Sequence, residues 1–420
     1  MDGGNDMKEE RVLIVGVETE ENYRTFHSSL TEMRQLVQAA HGEVVAVMEQ
    51  KRPVVNRQTI VGKGKLAEIA LAVDAEEIDI VIFNHELTPR QHQTLSDRLQ
   101  VLVIDRVQLI LDIFALRARS KEGKLQVELA QLNYLLPRLV GQGAAMSRLG
   151  AGIGTRGPGE TKLETDRRHI RNRMTKVKRE LKELAAHRER TREKRRQSQL
   201  IQVGLIGYTN AGKSTLLNRL TDAQTFEKDQ LFATLDPLTK KWRLPEGLML
   251  TLTDTVGFMQ DLPTQLIDAF HSTLEESRAM DILLHVVDAS ASDRQIQEKT
   301  VLALMKELGL DHIPVLTVYN KADKLEEENF IPTLFPNILI SAYDKESIAL
   351  VSKGIKQLIM EKFEPYVLSL PDQEAYRLAN LERQTLVVAK EYDEEHGQYE
   401  VKGFVAPENR TDVSYSDMES

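Results

Sequence analysis

The 420-residue chain lacks cysteine, which excludes disulfide bonds and thiolate metal sites and is consistent with a reducing compartment. It also lacks any run of about 18 apolar residues, so the sequence predicts no membrane-spanning helix. The first ten residues are polar and mixed in charge, unlike a secretory signal. We therefore expect a cytoplasmic protein.

What the chain contains is typical of a soluble protein with several domains. Hydrophobic residues make up 41% and charged residues 28%, and the length suggests about two to four domains. The net charge of −9 conceals a basic segment, because residues 161–198 hold 15 Lys and Arg against 6 Asp and Glu. Such a block favours a surface that faces a polyanion, although a solvated helix with ion pairs four residues apart has the same composition.

Residues 1–106 alternate short apolar runs with helical patterns. A helical pattern covers residues 26–40. The strand-like runs are 11–17, 43–47, 78–83 and 101–105. Strands that alternate with helices are typical of a parallel sheet, so we predict an N-terminal α/β domain.

Residues 107–198 predict a long helical hairpin. Leucine and isoleucine recur at helical spacing before Pro137, and residues 161–198 contain neither glycine nor proline. Between these segments, residues 141–160 hold seven glycines, which favours a flexible loop. Thr161 and Glu164 have the spacing of a capping box at the start of the second helix. The predicted arms are antiparallel, and each is roughly 45–57 Å long at about 1.5 Å per residue.

This hairpin has two interpretations. A pliant tip and a basic arm suit a probe of a large polyanion, whereas a coiled-coil spacer or dimer contact requires no such partner. Because the two arms can cover each other's apolar stripe, we expect a monomer. The candidate RNA contacts are Arg148, Arg156, Arg167, Arg168, Arg171 and Arg173.

A phosphate-binding loop opens the domain predicted over residues 199–364. A strand pattern over 200–205 leads into a match to G-x-x-x-x-G-K-[ST], and a helical pattern follows. The glycines let backbone N–H groups face a phosphate, and the helix directs its positive N-terminus at the same place. Lys213 supplies charge for the β- and γ-phosphates, and Ser214 supplies a hydroxyl for Mg²⁺. The motif consists of Gly207, Tyr208, Thr209, Asn210, Ala211, Gly212, Lys213 and Ser214.

A second phosphate-sensing motif, D-x-x-G, ends the next predicted strand. It consists of Asp254, Thr255, Val256 and Gly257. The aspartate can hold Mg²⁺ through water, and the glycine N–H can sense the γ-phosphate. A threonine between the two motifs can also bind the Mg²⁺, and Thr225, Thr234 and Thr239 are the alternatives.

A third motif, N-K-x-D, selects the base. It consists of Asn320, Lys321, Ala322 and Asp323, directly after a strand pattern over 315–319. Its aspartate can accept hydrogen bonds from N1–H and the 2-amino group of guanine. Adenine lacks both donors there, so the carboxylate would stay unpaired at a cost of about 1–3 kcal/mol. Lys321 can lay its stem on the ring, and Asn320 can tie this loop to the phosphate-binding loop.

The last predicted strand, 337–340, leads to Ser341, Ala342 and Tyr343, where a backbone N–H can meet guanine O6. In order and spacing the four elements predict a GTPase. Phe258 departs from the common pattern, because many such enzymes place a water-orienting glutamine after the D-x-x-G glycine. Phenylalanine cannot hydrogen-bond water, so we expect slow intrinsic hydrolysis that a partner accelerates.

Residues 365–420 predict a small C-terminal α+β domain. Strand patterns at 385–389 and 399–405 flank an acidic turn at 392–397. The segment holds 5 Lys and Arg against 12 Asp and Glu, which argues against a main contact with nucleic acid.

Taken together, the motifs resemble the HflX family, GTPases of the translation-factor class with a hydrophobic residue after the D-x-x-G glycine. The resemblance covers nearly the whole chain. Besides the phosphate-binding loop, its carriers are Ile60-Val-Gly62-Lys-Gly64-Lys65, Arg156-Gly-Pro-Gly-Glu160-Thr161, Phe232-Ala-Thr-Leu-Asp-Pro237 and Asp254-Thr-Val-Gly-Phe258.

For the site, this resemblance implies an α/β P-loop GTPase domain that follows the N-terminal α/β domain and the hairpin. It favours Thr234 as the Mg²⁺ ligand beside Ser214, and as a catalytic residue together with Lys213 and Gly257. The GTP contacts that it adds are Phe232, Ala233, Thr234, Leu235, Asp236, Ser341, Ala342 and Tyr343.

For partners, the resemblance implies the large ribosomal subunit and its RNA, with the hairpin loop reaching toward the peptidyl-transferase region. It implies that the GTP-bound protein splits ribosomes under stress, and that ATP can be handled at the N-terminal domain. Residues 62–65 are either a second phosphate or RNA contact or a plain strand-to-helix turn. The alternative functions are a GTPase that acts on an assembling ribosomal subunit or a tRNA-modifying complex, and a nucleotide-gated RNA-remodelling protein.

Overall fold

The structure is a computed structural model. It describes residues 9–147, 158–196, 200–221, 238–255, 257–259, 278, 280–325 and 330–406. The chain divides into two compact units, residues 1–184 with 261–270 and residues 185–260 with 271–420. None of the described helices has the length and hydropathy needed to cross a membrane.

Parallel strands form the N-terminal sheet, in the order β2-β1-β3-β4. They are β1 (Glu10–Glu18), β2 (Gly42–Lys51), β3 (Ile80–Phe83) and β4 (Leu102–Asp105). The helices of this domain are α1 (Phe26–Ala39), α2 (Lys63–Ala75), α3 (Pro89–Leu99) and α4 (Arg106–Arg117). All four positions of β3 are buried, as expected where helices cover both faces of a parallel sheet. The α/β domain predicted from the alternating pattern is confirmed.

The hairpin begins later than residue 107. Helix α4 packs on α1, β3 and β4, with Ile110, Ile113 and Phe114 fully buried, so it completes the N-terminal domain. Asp105 caps this helix by accepting from the N–H of Gln108 at 2.9 Å. The helical conformation is interrupted at residues 118–120, before the hairpin starts.

Helices α5 (Lys121–Ser147) and α6 (Pro158–Arg196) form the hairpin. Glu128 of α5 pairs with Arg173 of α6, and Lys121 with Glu180 at 4.0 Å. Because the residue numbers of the paired positions rise along α6 as they fall along α5, the two helices are antiparallel. The predicted loop over 141–160 is too long, because α5 continues to Ser147 and α6 starts at Pro158, a residue that favours a first helical position. Thr161 therefore lies inside the second helix and not at its cap.

The base of the hairpin is fixed to the N-terminal sheet by the buried carboxylate of Asp105. One oxygen accepts from the hydroxyl of Tyr134 at 2.8 Å, and the other from the guanidinium of Arg138 at 3.1 Å and the N–H of Leu87 at 2.9 Å. A carboxylate with no exposed surface is tolerated only when it is paired in this way.

The second sheet has the order β10-β9-β8-β5-β7-β6, with parallel neighbours except for the antiparallel β6 and β7. Its strands are β5 (Ile201–Gly207), β6 (Leu238–Arg243), β7 (Met249–Asp254), β8 (Ile282–Asp288), β9 (Val315–Asn320) and β10 (Asn337–Leu339). Its helices are α7 (Lys213–Thr221), α8 (Arg294–Glu307) and α9 (Lys345–Lys362). The chain places β7 on one side of β5 and β8 on the other, and in such sheets ligands bind at the carboxyl ends of the strands where the order reverses.

Three antiparallel strands complete the fold, in the order β11-β13-β12. They are β11 (Glu364–Pro371), β12 (Leu386–Asp393) and β13 (Gln398–Val405), with α10 (Leu378–Gln384) between the first two. Leu386 and Ala406 are buried in the same core as Phe363 and the strands of the second sheet. The C-terminal domain therefore packs directly on the GTPase domain.

Candidate nucleotide site

The phosphate-binding loop is shaped by two close approaches at its ends. A Cβ on Gly207 would collide with the carbonyl oxygen of Val286 on β8, and one on Gly212 with the side-chain amide of Asn320. Gly212 also has a φ of 95°, which disfavours other residues. Both glycines of the motif are thus required by contacts with strands far along the chain.

Lys213 lies in the centre of this loop and is almost fully buried. Its ammonium donates to the carbonyl oxygens of Gly207 at 3.0 Å and Tyr208 at 2.9 Å. Burial lowers the pKa of Lys213 to about 8, against the opposing effect of Asp254. On the neighbouring strand, burial and the nearby Lys213 lower the pKa of His285 to about 4, so the histidine is neutral and the lysine is the cation available to a phosphate.

The fold brings together two of the predicted Mg²⁺ residues. The hydroxyl of Ser214 donates to the carboxylate of Asp254 at 2.6 Å, and Asp254 has no exposed surface. A hydroxyl and a carboxylate are the hard oxygen donors that Mg²⁺ prefers, so this pair fits the ion. Thr239 bonds to Thr253 at 3.0 Å across β6 and β7, which engages its hydroxyl within the sheet. Thr225 and Thr234 lie outside the described residues, as do Phe232, Ala233, Leu235, Asp236 and Val256.

Phe258 is joined to the phosphate-binding loop by its backbone. Its N–H donates to the carbonyl of Gly207 at 3.1 Å, and its carbonyl accepts from the N–H of Thr209 at 2.7 Å. The side chain is 3% exposed. Gly257, just before it, has no room for a side chain, since a Cβ would lie 3.0 Å from the Lys213 ammonium. Phe258 is thus a packing residue, which explains why the position carries no water-binding side chain.

Asn320 connects the phosphate and base motifs. Its amide nitrogen donates to the carbonyl of Ala211 at 3.0 Å, and its amide oxygen accepts from the N–H of Ala342 at 3.0 Å. The predicted tie between the two loops is therefore present, and it extends to the loop after β10.

Asp323, the residue predicted to recognise the base, is held in place by a short hydrogen bond. The hydroxyl of Ser341 donates to its carboxylate at 2.5 Å, and the N–H of Tyr343 lies 3.4 Å from the same hydroxyl. The N–H of Ala342 is already engaged with Asn320, whereas that of Tyr343 is only weakly held. Tyr343 therefore offers the more available donor for guanine O6.

Asp288 is a residue of this site that the motifs did not reveal. Its carboxylate pairs with the Lys321 ammonium at 2.7 Å, and both side chains are largely buried. Lys321, directly after β9, has a left-handed φ of 64°. The ion pair fixes the aliphatic stem predicted to lie on guanine. The sequence signal that could have identified Asp288 was its place at the carboxyl end of β8, level with the phosphate-binding loop.

Outside this site, Gly62 is the N-cap of α2, and residues 63–65 form the first turn of that helix. The N–H of Gly62 donates to the side chain of Gln50 at 2.8 Å, and Lys65 pairs with Glu68 at 2.7 Å.

The arginines proposed to contact RNA differ from one another in the structure. Arg168 and Arg171 are exposed on α6, and Arg167 is half-buried. Arg173 forms a two-pronged pair with Glu128, so it holds the hairpin together and is a poor RNA candidate. Arg148 and Arg156 lie outside the described residues.

We predict that Asp288→Ala weakens GDP binding by about 3- to 10-fold, because a partly buried ion pair of this kind is worth roughly 1 kcal/mol. Calorimetric titration measures the effect, and Asp311→Ala, which removes an exposed acid from the same domain, is the matched control. Equal affinities of the two variants would contradict a role for Asp288.

We predict that Phe258→Gln does not accelerate GTP hydrolysis, because its backbone bonds hold residue 258 in the packed position. Burying an amide in place of the ring should lower the free energy of unfolding by about 2–4 kcal/mol. Single-turnover hydrolysis and denaturant unfolding test this, with Phe335→Gln, at an exposed phenylalanine, as the control. Faster hydrolysis at unchanged stability would show that position 258 reaches the water.

Three family models match consecutive parts of the chain. They describe a GTP-binding GTPase N-terminal region over residues 27–115, a GTP-binding GTPase middle region over 117–195, and a 50S ribosome-binding GTPase over 202–321. The first two meet close to the end of α4, where the structure also starts the hairpin.

Relatives match nearly the whole chain. It is 50% identical to GTPase HflX of Alkalihalophilus pseudofirmus, over 94% of this chain and 93% of that protein. It is 42% identical to GTPase HflX of Escherichia coli, over 88% and 87%. The crystal structure of SsGBP in complex with GDP is 26% identical and covers 84% of this chain and 99% of that chain, with a TM-score of 0.48. Identity of this extent, together with the phosphate and base motifs that the fold assembles, means that the chain belongs to the HflX GTPase family and is a GTP-hydrolysing enzyme.

Proposed function

We propose that the protein is a GTP-controlled factor that binds the large ribosomal subunit and splits ribosomes under stress. The observation that carries this proposal is the basic helix α6, which ends at Arg196 just before β5 begins at Ile201. The strand that leads to the phosphate-binding loop is thus the direct continuation of a basic arm. Such an arm suits the phosphate backbone of RNA, whose neutralisation by Lys and Arg dominates affinity.

Two further facts support a ribosomal partner. The model that matches residues 202–321 describes a 50S ribosome-binding GTPase. In addition, Arg168 and Arg171 present exposed charge on the described part of α6. The acidic C-terminal domain is the wrong sign for RNA, which leaves the hairpin as the favoured contact.

Nucleotide binding would use the residues assembled at the carboxyl edge of the second sheet. Lys213 would exchange its two carbonyl partners for the β- and γ-phosphates, and Asp323 would read the guanine edge. Ser214 and Thr234 would hold Mg²⁺, which supplies charge neutralisation at the phosphates when it is bound. The Gly257 N–H would sense the γ-phosphate, next to the backbone bonds that Phe258 makes with Gly207 and Thr209.

We also propose that the protein acts as a monomer. Val177 lies between Arg173 and Glu180, the two α6 residues that pair with α5, and it is fully buried. The hairpin therefore covers its own apolar stripe at this level and does not need a second chain to do so.

We predict that purified large ribosomal subunits stimulate GTP turnover by at least roughly tenfold, because Phe258 stands where a water-orienting glutamine is common and cannot hydrogen-bond the attacking water. Turnover is measured with and without subunits at matched salt, followed by sedimentation of intact ribosomes to detect splitting. Robust turnover of the protein alone, with no stimulation, would reject the ribosome as partner. Stimulation by precursor particles only would favour assembly, and equal stimulation by protein-free RNA would favour RNA remodelling.

We predict that the double substitution Arg168→Glu and Arg171→Glu weakens subunit binding. It should also reduce the dependence of the binding constant on salt by about the amount expected for two lost phosphate contacts. GTP affinity should not change. Arg383→Glu, at an exposed position of the C-terminal domain, is the matched control. Unchanged binding by the double variant would remove this face of α6 from the interface.

Deletion of residues 148–157, with a short Gly-Ser link in their place, should preserve subunit binding but abolish ribosome splitting if the tip acts mechanically.

A further inference from the structure

Tyr343 is an exposed aromatic residue that directly follows the buried Ser341 and Ala342 in the loop after β10. The residue is 66% exposed, whereas Ser341 is 8% and Ala342 3% exposed. A large aromatic surface left in water beside a ligand site is unfavourable until something covers it. The ring therefore marks a place that a flat ligand group can occupy.

The two neighbours of Tyr343 in the chain are anchored, Ala342 by its N–H bond to Asn320 and Asp344 by its cap on α9, although the N–H of Tyr343 itself is weakly held. Its N–H points to the hydroxyl of Ser341, which itself holds Asp323. The next residue, Asp344, caps α9 by accepting from the N–H groups of Ser347 at 3.0 Å and Glu346 at 3.3 Å. The origin of the side chain is thus fixed relative to the carboxylate that reads guanine.

The ring itself is held by Arg219. The guanidinium carbon lies 5.4 Å from the ring centroid, within the range of a cation–π contact. Arg219 belongs to α7, the helix that starts at Lys213. Among the described residues no carboxylate pairs with Arg219, so in that part of the chain the ring is its partner.

We propose that the Tyr343 ring stacks on the bound guanine base, and that Arg219 is a positioning residue that keeps the ring in place and so slows nucleotide release. The inference rests on the assignment of Asp323 to guanine and is independent of any ribosomal role. Lys321 and Tyr343 would contact the base from different directions, because Asp288 on β8 holds the first and Arg219 on α7 the second. A planar base is the ligand group that an aromatic ring and a lysine stem can both contact.

The test is the dissociation rate of GDP from the full-length protein, measured by stopped flow with a fluorescent analogue chased by GDP. Tyr343→Ala should release GDP roughly tenfold faster, and Tyr343→Phe should release it at nearly the wild-type rate, since stacking needs the ring and not the hydroxyl. Arg219→Ala should speed release about 2- to 5-fold. In the Tyr343→Ala background the same change should have no effect, because the arginine acts through the ring.

Inosine diphosphate, which lacks the 2-amino group that Asp323 reads, separates stacking from edge recognition. Loss of the ring should accelerate its release by the same factor as for GDP. Acceleration for GDP alone would show that the ring supports Asp323 and would overturn the stacking proposal.

Tyr376→Ala, which removes an equally exposed tyrosine from the C-terminal domain, is the matched control. Equal release rates for Tyr343→Ala and this control would overturn the role of the ring. An absence of GDP binding by the wild-type protein would instead overturn the guanine site on which the proposal rests.

Discussion

The nucleotide site depends on the hydrogen bonds that the side-chain amide of Asn320 forms with two other loops. The amide donates to Ala211 in the phosphate-binding loop and accepts from Ala342 in the loop after β10. The same amide lies so close to Gly212 that a side chain at that position would collide with it. Three segments that are far apart in sequence are thus held at fixed distances by one side chain, and that side chain is 2% exposed. A buried amide has both a donor and an acceptor to satisfy, so loss of either partner would leave a polar group unpaired.

The same reasoning explains why the charged residues of the site can be buried without a ligand. Lys213 is satisfied by two carbonyls, Ser214 by Asp254, and Lys321 by Asp288. Each of these bonds uses atoms that the phosphates, Mg²⁺ or the base would otherwise engage or flank. Because each buried charge has a hydrogen-bonding or ionic partner, its burial costs much less than that of an unpaired charge.

The sequence was most informative where chemistry requires particular residues in order. The phosphate, Mg²⁺ and base motifs were predicted residue by residue, because strand, glycine turn and helix follow each other within each motif. Asp288 and Arg219 were not predicted, since their roles come from strand order and helix placement. Strand β6 was also missed because only Trp242 among its six residues is buried, and β11 because Pro365 and Pro371 interrupt a strand pattern. The positive charge of α6 could not show that Arg173 forms an ion pair with Glu128, because that pair depends on how the two helices of the hairpin are aligned.

The distinction between GTP and GDP must be made where the structure changes with the γ-phosphate. Asn320 and Asp323 would serve the guanine base, which both nucleotides share, so they would set affinity and base choice. Gly257 is different, because its neighbour Phe258 is bonded to Gly207 and Thr209. Two backbone hydrogen bonds are worth about 1–3 kcal/mol in net terms, enough to favour this position roughly 5- to 100-fold over one that is released. A γ-phosphate that attracts the Gly257 N–H would compete with these bonds on the same energy scale. The backbone bonds of residue 258 would therefore give the switch a defined resting position, and its buried phenylalanine stands where a fast, independent GTPase would carry a water-orienting side chain.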